Sequence, residues 1–141
     1  MTISSHLPTQ EFSLDAMEQL PGFYSIDTET DRPEFIRDCT EWGFDVIEFN
    51  GRKAQGETSY FTELAKTFEF PDYFGGNWDA VADCLTDLEW EEGDCIMVLY
   101  SAADRFAKAE PLSWKTMMEI WQRVVDHWSD LGVSLYLVFQ D

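Results

Sequence analysis

Two apolar runs of strand length constrain this chain more than any other feature. Cys95-Ile96-Met97-Val98-Leu99-Tyr100 and the stretch 133–139 lack the polar alternation of a half-exposed strand. Such runs fit strands buried on both faces, as in a parallel sheet with helices above and below. Residues 44–50 (Phe44, Val46, Ile47, Phe49) read as a further strand that ends at Asn50-Gly51. Helices expected over 57–68, from Trp78 onward and over 112–129 separate these strands, which implies right-handed crossovers. The expected class is α/β, a small parallel β-sheet of three core strands flanked by helices.

The first third of the chain adds to this frame without visible chemistry. Residues 1–12 are polar, without cap or period, and are expected to be loose. A short helix over 13–20 would stop at Pro21-Gly22, and residues 23–26 would supply a fourth strand. Residues 32–42 predict a helix with Phe35, Ile36, Cys39 and Trp42 on one face, ended by Gly43. Residues 102–109 suit one more short helix. In the long helix Met117, Trp121, Val124 and Trp128 are spaced 4-3-4, a core stripe and not a cofactor site. No repeat and no Pro/Ser/Gly linker interrupts the chain, so residues 1–141 are expected to form one domain.

Charge narrows the function. Nine basic residues against twenty-eight acidic ones leave a net charge of −19. Such a surface repels nucleic acid and anionic membrane and attracts basic partners at salt-sensitive rates. The three cysteines, Cys39, Cys84 and Cys95, lack a CxxC spacing and are expected as buried free thiols in a reducing compartment. Residues 1–20 contain no lysine, arginine or apolar run of signal type, and no stretch approaches a membrane span, so a cytoplasmic protein is expected. An enzyme is not: the chain shows no P-loop, GxGxxG, HExxH or GxSxG pattern, and its histidines are His6 in the terminus and His127 near the end of the long helix. No cofactor and no metal is implied.

One stretch carries a specific signal, FPDYFGGNWDAVADCLTDLEW from Phe70 to Trp90. An aromatic pair, Tyr73-Phe74, and Gly75-Gly76 form a loop, and Asn77 is placed to cap the helix beginning at Trp78. Trp78, Val81, Leu85 and Leu88 make its buried stripe. Asp79, Asp83 and Asp87 recur at steps of four on the other side. Like charges at that spacing destabilise a helix by roughly 0.2–0.5 kcal/mol per pair. No lysine or arginine from 67 to 104 offsets the repulsion. A solvated helix face is the plain reading. Uniform acidity directly after an aromatic, glycine-rich loop favours a binding role.

These residues resemble the barstar family. Pro71-Asp72-Tyr73-Phe74-Gly75 and Asn77-Trp78-Asp79-Ala80, followed by Asp83-Cys84-Leu85-Thr86, look like its signature, and a weaker similarity runs over residues 44–139. The resemblance implies a three-strand parallel core, to which residues 1–43 add a strand and a helix. It implies a small cytosolic inhibitor of a basic, barnase-type ribonuclease, such as an immunity protein for a toxin nuclease, with a monomer expected. Asp83 matches the aspartate that enters the nuclease active site, Asp79 the acid one turn earlier, and Tyr73 the loop aromatic that packs on the enzyme. Gly75 and Asn77 match the turn that sets the helix's approach. Phe74, Gly76, Ala82 and Asp87 complete the expected partner-binding set. Ala82 stands where the family's type member has a large aromatic, and Gly76 where it has an acid, so the target's identity stays open. The acid contributed from the long helix aligns loosely near Asp126 or His127. The alternative is an acidic mimic of nucleic acid that blocks a basic DNA- or RNA-binding protein.

Overall fold

The structure, a computed structural model, describes residues 7–14, 19–72 and 74–141. Four strands, β1 (Gly22–Ile26), β2 (Asp45–Asn50), β3 (Cys95–Ser101) and β4 (Ser134–Gln140), pair in the order β1-β4-β3-β2, all parallel. Among the described residues the α-helices are α1 (Arg32–Glu41), α2 (Glu57–Thr67), α3 (Trp78–Leu85), α4 (Asp104–Ala109) and α5 (Pro111–Asp130). The two apolar runs lie side by side at the centre, with Ile96 opposite Leu135, Val98 opposite Leu137 and Tyr100 opposite Phe139.

Handedness explains which face each helix covers. The chain steps from β2 to β3 to β4 in one direction across the sheet, but jumps from β1 to β2 in the opposite direction. If every crossover is right-handed, the reversed step must send its helix to the other face. The packing agrees. Ile96, Val98, Tyr100, Leu135, Leu137 and Phe139 meet the buried sides of α2 to α5. Met97, Leu99, Tyr136 and Val138 point the other way, toward Cys39 of α1 and Phe12. Both central strands are thus buried on both faces, as their uninterrupted hydrophobicity requires.

Three local expectations are corrected. Gln10 to Phe12 are ordered along β1: the Phe12 amide donates to the Ser25 carbonyl and the Ser25 amide to the Gln10 carbonyl, each at 2.9 Å. Phe12 is buried, with edge-on contacts to Tyr24, Phe35, Phe44 and Tyr136. A polar sequence hides such a pairing because its partner lies a dozen residues away. Trp42 follows α1 as its C-cap and is 66% exposed, because the chain turns away there. Cys95 is half-buried and not buried, while Cys39 and Cys84 are buried, and all three are free. The helix expected over 13–20 centres on residues 15–18, which lie outside the described residues; Ser13 and Leu20 at its ends are not helical. No helix among the described residues is long and apolar enough to cross a membrane.

Candidate functional site

The sequence from Phe70 builds a helix and a loop that are held from behind. Asn77 is extended, and its side-chain oxygen accepts from the Ala80 amide at 2.8 Å, so it caps α3 as expected. Gly76 has φ +63, a left-handed backbone that a side chain would strain, and Gly75 lies exposed beside it. Phe74 is half-buried. Its ring stands edge-on to Phe70 at 5.0 Å and to Phe61 at 6.2 Å. Phe61 in turn meets Trp78 at 4.8 Å. An aromatic cluster therefore anchors the loop to α2, and Phe74 faces that cluster. Tyr73 lies outside the described residues.

Both ends of α3 are tied to the rest of the molecule. At its start the Trp78 indole donates to Glu57 Oε2 at 3.2 Å, and the Ser113 hydroxyl donates to the same oxygen at 2.7 Å. One carboxylate thus joins the first turns of α2, α3 and α5. At its end the Trp128 indole donates to the Leu85 carbonyl at 2.9 Å, satisfying an acceptor that the helix leaves open. Val81 and Leu85 are buried against the core, and Ala82 is half-buried at its edge. Sequence reasoning missed Glu57, Ser113 and Trp128 as positioning residues. They carry no local motif, and their partners lie 21, 56 and 43 residues away.

Asp79 and Asp83 lie exposed on successive turns of α3. Asp87 does not continue the stripe on the helix. Thr86 caps it, its hydroxyl donating to the Ala82 carbonyl at 2.8 Å, and the chain then turns. Asp87 and Leu88 belong to the following bend, so α3 itself carries one repulsive pair and not two. The Cys84 thiol, between Asp83 and Asp87 in the chain, is pushed up by burial first and then by those two carboxylates. It stays protonated at neutral pH and offers no nucleophile. Asp126 and His127 are exposed on α5; Asp126 accepts from the Gln122 amide at 3.0 Å, and His127 stands edge-on to Trp128. No group of three or more His, Cys, Asp or Glu among the described residues is arranged to hold a metal ion.

Beside the end of α3 runs a groove of 680 Å³ between the α2–α3 and α3–β3 connections. Ile47, Phe70, Leu88 and Trp90 give it apolar walls, and Asp83 and Asp87 reach its edge. The Trp90 ring packs on Trp128 at 5.1 Å, which fixes that side of the groove to α5.

A capped acidic helix behind an aromatic, glycine-containing loop, set on a parallel sheet, has a counterpart among known proteins. Comparison with curated proteins finds no match. The family model described as Barstar (barnase inhibitor) matches residues 44–140, which run from the start of β2 to the end of β4 and include the whole site. The chain belongs to the barstar family.

Proposed function

We propose that this protein inhibits a basic ribonuclease by setting α3, with the loop before it, into the enzyme's active site. Family membership implies a ribonuclease inhibitor in general, and a binding protein and not an enzyme. One observation carries the finer reading. Asp79 and Asp83 are presented to solvent on consecutive turns of a helix fastened at both ends, and no lysine or arginine lies between 67 and 104 to satisfy them. Nuclease active sites are basic because they hold phosphates. Carboxylates one turn apart on a rigid helix suit the arginine, lysine and histidine side chains that would otherwise grip those phosphates, through charge-assisted hydrogen bonds. Long-range attraction speeds the encounter, and desolvated pairs slow dissociation. Gly75, Gly76 and Asn77 set the angle at which the helix is offered. Tyr73 is proposed to pack on the enzyme, and Asp87 to contribute from the bend. Residues 1–43 are proposed to complete a single domain.

The test is Asp83→Ala, assayed by inhibition of a barnase-type ribonuclease. The expected loss is about 2–5 kcal/mol, the range for truncating one partner of a desolvated charge pair, to which the barnase–barstar complex itself contributes. Asp83 is exposed in the free protein, so circular dichroism should show an intact fold. Inhibition as strong as that of the native chain would overturn the reading. The exposed Glu89, Glu91 and Glu92 favour a second one, diffuse mimicry of nucleic acid. It expects only a mild effect from any single truncation.

A further inference from the structure

The groove beside α3 combines two chemistries that the helix face does not. Ile47, Phe70, Leu88 and Trp90 make part of its lining apolar, and Glu69, Asp87 and Glu89 line it in addition to Asp83. Among the described residues none of these carboxylates forms an ion pair and no lysine or arginine lines the groove. A wholly apolar ligand would leave the acids facing its surface, and a small hydrated cation would leave the walls uncovered. A side chain with an apolar stem and a cationic head satisfies both. Arginine fits better than lysine here. Its planar guanidinium can lie against the Trp90 indole and bond several carboxylate oxygens at once. At 680 Å³ the groove has room for the arginine and an apolar neighbour.

We infer that this groove receives an arginine side chain, with an apolar residue next to it, from the basic protein that docks on α3. The inference rests on the basic-partner reading above and adds a second contact to it, beyond the C-terminal end of the helix. Such a contact would let the protein select among ribonucleases by a residue outside their active sites.

Glu69 gives a clean probe. It follows α2 with φ +53, a left-handed conformation in which glycine is at ease, and the Phe70 amide closes the turn onto the Ala65 carbonyl. Glu69→Gly therefore removes a lining carboxylate while suiting the backbone, and Glu69→Gln removes the charge at constant length. The experiment titrates isotope-labelled protein with acetyl-Leu-Arg-Leu-amide, against the same peptide carrying neutral citrulline. Saturable NMR shifts are expected at the Trp90 indole, Ile47 and Leu88 with the arginine peptide alone. Affinity should fall about fivefold in Glu69→Gly and Glu69→Gln, and about tenfold in the Asp87→Asn/Glu89→Gln double variant, with melting temperatures not lowered. Equal binding of the citrulline peptide, or shifts spread evenly over α3 and residues 91–94, would overturn the inference. Ribonuclease inhibition by the native chain is measured in parallel. Inhibition without peptide in the groove overturns the groove alone; peptide in the groove without inhibition supports the groove and overturns the active-site plug.

Discussion

Asn77 accepts from the Ala80 amide while Gly76, at φ +63, turns the chain so that it can. The pair converts a loop into a helix within two residues and fixes where Asp79 begins its turn. Asn77→Ala should lower stability by about 1 kcal/mol, read as a lower urea midpoint, because one of the orphan amides of α3 loses its acceptor. An unchanged midpoint would mean that water caps the helix equally well. This cap was legible in the sequence because capping is decided by neighbours in the chain. Asp87 was misread for a related reason. The helix ends at Thr86 without a glycine or proline to mark it, and the step of four simply continued past the real end. Glu57 was illegible altogether, since one acid at the start of a helix says nothing about an indole 21 residues on.

The elements divide by how far their stabilising contacts lie along the chain. β3, β4 and α5 were readable from hydrophobic run and period, because burial on both faces or on one stripe leaves a pattern in the strand or helix itself. The segment over 10–12 was not. Its order comes from backbone pairing with Ser25 and from Phe12, which sits among Tyr24, Phe35, Phe44 and Tyr136. Phe12→Ala should destabilise by about 3 kcal/mol through the lost transfer energy and the cavity left behind. Urea unfolding followed by tryptophan fluorescence measures it, and a loss under about 1 kcal/mol would return this segment to the loose terminus that its polarity suggested. A second long-range tie closes the far end of the sheet. The buried Gln140 donates to the carbonyls of Asp27 and Thr30, both at 3.1 Å, and accepts from Arg32 at 3.3 Å, so β4 holds the turn from β1 into α1.

For the whole molecule the governing quantity is the net charge of −19. Lys108 pairs with Asp104 at 2.7 Å, yet nine basic residues cannot neutralise twenty-eight acidic ones. The compact state concentrates that charge, and the unfolded chain disperses it. Salt shortens the Debye length from about 30 Å at 0.01 M to about 8 Å at 0.15 M, so the melting temperature of the free protein should rise over this interval. A flat or falling melting temperature would show that local pairing outweighs self-repulsion. Handedness, too, acts at this scale, since α1 covers one face of the sheet and α3 sits over the other. A fluorophore or resin attached at exposed Glu34 or Arg37 of α1 is therefore screened by the full thickness of the sheet from anything docked on α3. The protein comes with a back by which it can be held while its front is occupied.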